Sequence, residues 1–433
     1  MKKSVHFFCL TCFLILMGLT IVSCDKDSSQ ELESKKIKNK DTSNSIDDVN
    51  SSKEEIETNN KSETKDDKDR SESSEAKDNQ EQENEYDEIQ KPIRDIRSME
   101  LVEEIKIGWN LGNTMDATGG AGNAAEISWG NPITKKEMID VVKEAGFNIV
   151  RIPTTWDKHF AEAPDYTINK MWLDRVQEIV DYAIDNDMFV ILNMHHEEWH
   201  FPSYDNFDTA SEILEKLWIQ IAERFKNYDE HLIFEGMNEP RLKGTQYEWN
   251  GGTPEGRDVV NKLNAVFVET IRNSGGNNPL RHLMIPTYAA SSDTRTWKDF
   301  IVPEDDKVIV SIHAYTPYNF ALNKTGTSSW SVENISDTQE MDNLMENIYN
   351  YFIKNEIPVI IGEFGAMNKD NLESRVAWSE YYVKKATEKG IPCIWWDNGA
   401  FHGSGENFGL LKRRDLEWMY PEIIEALMRG LEG

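Results

Sequence analysis

The sequence predicts a closed (β/α)8 barrel over residues 91–433, and three observations predict it. Eight short runs rich in Val, Ile and Phe recur along this stretch, most of them separated by one segment of helical period. Polar, reactive side chains collect at the C-terminal end of one run after another, which is where a barrel of this kind carries its working residues. A doubly wound sheet is the competing architecture. It usually has fewer strands and a glycine-rich first turn, and no G-x-G-x-x-G follows the first run.

In chain order, Lys2 and Lys3 precede an uncharged apolar run over 5–22, the arrangement of an export signal. The run ends at Ile21-Val22-Ser23-Cys24, which resembles a bacterial lipobox and makes Cys24 the expected lipid anchor and residues 1–24 a lipoprotein-type signal peptide. An ordinary signal peptide or one membrane-spanning helix would equally leave the remainder outside the cytoplasm. Residues 25–90 carry 22 Asp and Glu against 11 Lys and Arg, with Tyr86 the sole aromatic. Such a composition cannot bury enough apolar surface to offset its ordering entropy, so a disordered acidic linker is expected. As a flexible coil it would span on the order of 40 to 50 Å.

The whole chain has a net charge of −30, with 77 acidic against 47 basic residues. A field of that sign repels phosphate backbones and argues against nucleic acid as a partner. Of the four cysteines, Cys9, Cys12 and Cys24 lie in the N-terminal segment, so the body holds only Cys393 and no internal disulfide.

The expected strands are 107–112, 147–153, 189–196, 232–240, 282–288, 308–315, 358–365 and 391–399. A helix is expected over 134–145, where Met138, Ile139, Val142 and Ala145 recur at helical spacing and Gly146 supplies the stop. The link from the fifth strand to the sixth is too short for a regular helix.

Strand two ends in Arg151, strand three in His195 and His196, and strand four in Asn238-Glu239-Pro240. Strand six ends in His313 and Tyr315, strand seven in Glu363, and strand eight in Trp395-Trp396-Asp397. A lone Glu after an apolar run is most often an ion-pair partner, but two at the same end of strands four and seven must approach across a narrow barrel mouth. Two carboxylates facing one cavity suit glycosidic cleavage, one attacking or activating water and the other protonating the leaving oxygen, with no metal or cofactor required. A nucleophilic carboxylate needs donors that keep it charged, and Arg151 and Tyr315 are the candidates.

Several runs together carry a family resemblance. They are Ile107-Gly108-Trp109-Asn110-Leu111-Gly112-Asn113-Thr114-Met115-Asp116, Val150-Arg151-Ile152-Pro153, Asn193-Met194-His195-His196-Glu197, Met237-Asn238-Glu239-Pro240, His313-Ala314-Tyr315, Ile361-Gly362-Glu363-Phe364-Gly365 and Trp395-Trp396-Asp397-Asn398-Gly399. In order and spacing the chain resembles glycoside hydrolase family 5, and its cellulase branch, subfamily 4, most of all. The resemblance implies a retaining endo-β-1,4-glucanase with Glu239 as acid/base and Glu363 as nucleophile. It further implies a supporting set of Arg151, His195, Asn238, His313, Tyr315 and Trp396, with Asn238 on the sugar 2-hydroxyl, Trp396 under the ring, and His196 and Asn113 on neighbouring sugars. A register slip of one would exchange His195 and His196.

Aromatic rings pack on the apolar face of a pyranose, so Trp129, Trp156, Trp199, Trp249 and Trp330, in strand-end loops, are candidate sugar platforms, about half of them ordinary packing. Trp172, Trp218 and Trp378 fall in helical stretches and are expected in the core or on a helix surface. Residues 196–200 read His-Glu-Glu-Trp-His, formally a zinc-protease motif. That motif needs a helix, whereas this run follows an extended segment and meets Pro202, so a strand end turning into a loop is expected.

The expected protein is therefore an extracellular, lipid-anchored, monomeric enzyme whose partner is a β-1,4-linked polysaccharide. Xyloglucan, mixed-linkage β-glucan, xylan and mannan are alternative substrates on the same scaffold, and a non-catalytic surface glycan-binding protein is the rival of another class.

Overall fold

Eight parallel strands pair in sequence order and close on themselves in the computed structural model, which describes residues 92–432. They are β1 (Ile107–Leu111), β2 (Ile149–Ile152), β3 (Phe189–Asn193), β4 (Leu232–Glu235), β5 (Leu283–Ser291), β6 (Val308–His313), β7 (Val359–Phe364) and β8 (Cys393–Asp397). Closure runs through β1 and β8, which pair from Ile107 opposite Cys393 to Leu111 opposite Asp397. The expected signal segment, Cys24 and the acidic linker lie outside the described residues.

Each strand coincides with an expected apolar run, and both faces of the sheet are covered, which is why the runs are nearly continuous rather than alternating. Outward residues such as Val150, Leu192, Phe234, Val310 and Trp395 join one large core with the surrounding helices. Inward residues Ile149, Ile191, Ile233, Met284, Ile309, Ile360 and Ile394 form a separate cluster with Leu101 and Val102 of the helix Ser98–Glu104. Gly108 belongs to this interior layer: a Cβ there would stand 2.6 Å from Ile149 Cγ2, so the close approach leaves room only for glycine.

Further along the strands the same period of two turns Asn110, Arg151, Asn193, Glu235 and Ser311 inward, all of them buried. An apolar lower layer thus supports a polar upper one. Strict alternation would send Glu363 to the helix side with Ile361. Register shifts where β7 meets β6 and β8 break that alternation, and Glu363 joins the polar layer.

Connecting helices include Lys136–Glu144, Lys170–Ile184, Tyr204–Arg224, Pro254–Arg272, Ile335–Tyr351, Leu372–Thr387 and Pro421–Leu431. The first lies within the predicted 134–145, and Gly146 beyond it takes a positive φ of 105°. Asn169 caps the second through the Met171 and Trp172 amides, and Thr253 with Pro254 opens the fourth. Between β5 and β6 there is only the single turn Thr294–Trp297, as the short link requires. Trp172, Trp218 and Trp378 are fully buried.

Asp397, at the end of β8, is buried and locks the seam of the barrel. Its carboxylate accepts from Trp109 Nε1 (2.9 Å) and from the amides of Gly399 (2.8 Å), Leu410 (3.0 Å) and Leu411 (2.9 Å). Arg413 spans the same seam, donating to the carbonyls of Gly112 and Asp397. Asp397→Ala strands these buried donors, so a loss of about 3 kcal/mol or more is expected. Urea unfolding checks it, and a midpoint equal to the wild type would refute the role of the seam.

Candidate active site

Arg151, the third residue of β2, is the hub of the polar layer and is wholly buried. Its Nε donates to Glu235 Oε2 (2.8 Å), Nη1 to Asn110 Oδ1 (3.0 Å) and to Glu363 Oε1 (2.8 Å), and Nη2 to Asn238 Oδ1 (2.7 Å). Burial alone would lower the proton affinity of the guanidinium, but Glu235 and Glu363 beside it raise it above its ordinary value. Glu235 is itself saturated, accepting also from Asn193 Nδ2 (3.0 Å) and Ser311 Oγ (2.6 Å). These two carboxylates and the two amide oxygens are what make a buried cation tolerable.

Glu363 receives a second donor, Tyr315 OH, at 2.9 Å. Burial and the Glu363 charge hold the Tyr315 phenol well above its ordinary pKa, so it remains a donor. Across the mouth, His313 Nδ1 lies 2.8 Å from Glu239 Oε1 and 3.6 Å from Glu363 Oε2. Oxygens of the two carboxylates lie within 4.8 Å of one another. Burial pushes His313 down, yet Glu363 and Glu239 outweigh it and raise its proton affinity. Burial likewise pushes Glu239 up, but the His313 bond and the charges of Arg241 and His196 leave it below its ordinary value. The 2.8 Å contact lets His313 and Glu239 share one proton.

His195 and His196 are now distinguishable. His195 is buried, and its ring lies parallel to that of Trp396 with centroids 5.6 Å apart. Its Nδ1 faces Asn193 Nδ2 (3.2 Å), and the Asn193 orientation is fixed because its Oδ1 accepts from the Thr154 amide (3.0 Å). Nδ1 is therefore the acceptor and Nε2 carries the proton, beside Asn238 Nδ2 at 3.4 Å, so two donors converge without an acceptor between them. A sugar hydroxyl would supply it. Burial, then the neighbouring cations, hold His195 neutral. His196 stands nearer the rim, 4.0 Å from Asp116 Oδ2 and against the exposed ring of Trp129. Asn113 occupies the turn after β1 with φ of 56°, half-buried and apart from this network.

The strand-end loops contain two corrections. Trp156 and Trp330 are buried and serve packing, so neither is a sugar platform. Trp129 and Trp249 are exposed, and Trp199 is half-buried with its indole nitrogen on Glu197 (2.8 Å). Residues 196–200 form no helix, as expected, so His196 and His200 do not share a helix face. Glu235, Ser311 and Arg241 were missed by sequence reading. Glu235 had a signal, a charge inside the apolar run Leu232-Ile233-Phe234.

A (β/α)8 barrel with paired carboxylates at its C-terminal mouth, one on an arginine and a tyrosine and the other on a histidine, defines a glycoside hydrolase. Residues 112–402 match the family described as Cellulase (glycosyl hydrolase family 5). Endoglucanase B of Neocallimastix patriciarum is 52% identical over 349 residues, spanning 79% of this chain and 73% of that protein. Endoglucanase A of Ruminococcus albus is 49% identical over 343 residues, 78% of this chain and 94% of that one. A solved GH5-4 broad specificity endoglucanase from Ruminococcus champanellensis with bound cellotriose has a TM-score of 0.76 at 52% identity, covering 78% of this chain and 100% of that one. A GH5 family lichenase from Caldicellulosiruptor gives a TM-score of 0.74 at 45% identity, covering 79% and 97%. The chain belongs to glycosyl hydrolase family 5, among its endoglucanases.

Glu197, behind His196, accepts from the Trp156 amide (2.6 Å) and from Trp199 Nε1, yet burial dominates and pushes its pKa up to about 8. An acid raised in the folded state adds stability that is complete below its ordinary pKa of 4.5 and is lost as pH climbs through 8. Relative to Glu197→Gln, the wild type should therefore lose melting temperature steadily from pH 5 to pH 8. Parallel melting curves across that range would contradict the assignment.

Proposed function

We propose that the protein is a retaining endo-β-1,4-glucanase in which Glu363 attacks the anomeric carbon and Glu239 serves as acid and then base. The observation that carries the reading is the separation of the carboxylates, with oxygens within 4.8 Å. Retaining pairs stand about 5 to 5.5 Å apart, whereas inverting pairs leave about 6.5 to 9.5 Å for a water between them.

In the first step Glu363 forms a bond to the anomeric carbon, aimed by Arg151 Nη1 and Tyr315 OH. As its charge is consumed, its attraction for the proton shared by His313 and Glu239 weakens. The proton moves to Glu239 and on to the leaving oxygen. In the second step Glu239 takes a proton from water, which displaces Glu363 from the sugar. Asn238 Nδ2 and His195 Nε2 converge on one sugar oxygen, and Trp396 supplies the flat face beneath the ring. Trp129, Trp199 and Trp249 extend the platform along the cleft.

Glu363→Gln is expected to lose at least about 10³-fold in reducing-end release from a soluble β-1,4-glucan, and Glu239→Gln about 10²- to 10⁴-fold. Activity near wild type in either variant would sink the mechanism. The glucan reading is supported by relatives described as a broad specificity endoglucanase and a lichenase, which also recommend running xyloglucan and mixed-linkage β-glucan beside it. Comparable rates on all three would mark an open cleft, and cutting of xylan or mannan alone would overturn the glucanase reading.

We also infer from the run ending at Cys24 that the enzyme is held outside the cell by a lipid, with the acidic stretch as its tether. Cys24→Ser should move it from the detergent phase to the aqueous phase on Triton X-114 partition. Equal partition of the two forms would count against the anchor.

A further inference from the structure

Arg241 follows Asn238-Glu239-Pro240 and held no place in the reading of the sequence. Its guanidinium is gripped on several sides. Nε donates to Glu248 Oε1 (3.0 Å) and Nη1 to the Glu239 carbonyl (3.0 Å), while Nη1 also stands 3.5 Å from Glu239 Oε2. The guanidinium carbon lies 4.3 Å from the ring centroid of Trp249, a residue 59% exposed. The two oxygens of Glu239 are therefore divided, Oε1 against His313 and Oε2 against Arg241.

We propose that Arg241 is a positioning residue for Glu239: clamped by Glu248 and stacked on Trp249, it orients that carboxylate and sets how readily it surrenders its proton. The inference rests on the acid/base reading of Glu239.

Several groups face this carboxylate. His313 stands on one side with Glu363 and Tyr315 behind it. His196 approaches from the loop after β3, with Glu198 and Lys243 paired beyond it. Glu406, in the loop after β8, adds a negative charge that opposes the rest. The histidines change charge with pH, and Lys243 is engaged by Glu198. Among the described residues Arg241 is the one permanent cation within ion-pair distance of Glu239. It thus provides a constant field that favours the ionised carboxylate at every working pH, in line with the lowered proton affinity of Glu239. The planar fork on an aromatic face also fixes direction, which a flexible ammonium would not.

The test is the pH profile of kcat/KM on a soluble β-1,4-glucan for wild type, Arg241→Gln, Arg241→Lys and Glu248→Asp. The basic limb reports loss of the proton that Glu239 shares with His313. Without the arginine charge Glu239 holds its proton longer, so in Arg241→Gln the limb should move up by about one pH unit. Arg241→Lys should restore its position while rates stay below wild type, because the charge returns without the stacked fork. Glu248→Asp, which shortens and loosens the clamp and keeps every charge, should shift the limb in the same direction by less. It decides the matter if Arg241→Gln fails to fold. On a dinitrophenyl cellobioside, whose leaving group needs no proton, Arg241→Gln should approach wild-type kcat/KM. A lowered rate with an unmoved limb, or a limb that moves down, would overturn the proposal and leave Arg241 a structural residue. Glu239→Gln with full activity on the unactivated chain would instead bring down the acid/base reading itself, a result separate from either.

Discussion

The site depends on a single buried cation. Arg151 sits inside the barrel with its charge divided between Glu235 below and Glu363 above, and with Asn110 and Asn238 on its remaining edges. Taking a guanidinium out of water is costly unless every donor finds an acceptor, and the fork geometry demands those acceptors at fixed directions. Three strands meet that demand for β2's arginine: β1 through Asn110, β4 through Glu235 with Asn238 just beyond, and β7 through Glu363, while Asn193 of β3 steadies Glu235 from behind. The interaction that makes the charge tolerable is therefore the one that sets the carboxylate in place. Rigidity of the site and solvation of its arginine are one constraint.

Much of this was legible because a barrel strand sorts its side chains by a simple rule. A period of two divides inward from outward, and the position along the strand divides the apolar floor from the polar mouth. Reading strand ends alone therefore found Arg151, Glu239, His313, Tyr315, Glu363 and Trp396. The rule also shows its limits. Glu363 reaches the mouth because the ladder slips on both sides of β7, and nothing local in Ile361-Gly362-Glu363-Phe364 announces a slip. Gly362 gives its trace only in three dimensions, where a Cβ would press on His313 Nε2 at 3.2 Å.

The misses share a cause. Glu235 and Ser311 were absorbed into strands as positions, because their importance lies in meeting a cation from a different strand, 84 residues away in the case of Glu235. Arg241 gives no signal in the sequence, since its stacking on Trp249 and its approach to Glu239 depend on a loop path that composition does not encode. The tryptophans divide for the same reason. Trp156 and Trp129 both lie in strand-end loops, yet one donates its indole proton to the Asn193 carbonyl inside the core and the other stands at the rim. Loop residence shows that a ring is near the mouth and says nothing of which way it faces. His195 and His196, adjacent in sequence, were likewise separated only by what each ring nitrogen meets.

This division of labour bears on specificity. The residues that do the chemistry stand on strands or within a few residues of their ends and are fastened to one another. Trp129, Trp199 and Trp249 stand on separate loops, and each is attached to the machinery by one contact: Trp129 against His196, Trp199 through Glu197, Trp249 through Arg241. Loops can change length and sequence without disturbing the solvated arginine, so the choice of chain can diverge while the carboxylate geometry stays fixed. Two of those contacts, Trp129 on His196 and Trp249 on Arg241, end on side chains that neighbour Glu239. Under the proposed mechanism, binding along the cleft and proton transfer at its centre would then be linked through short physical paths, the shortest of which runs through a guanidinium stacked on an exposed ring.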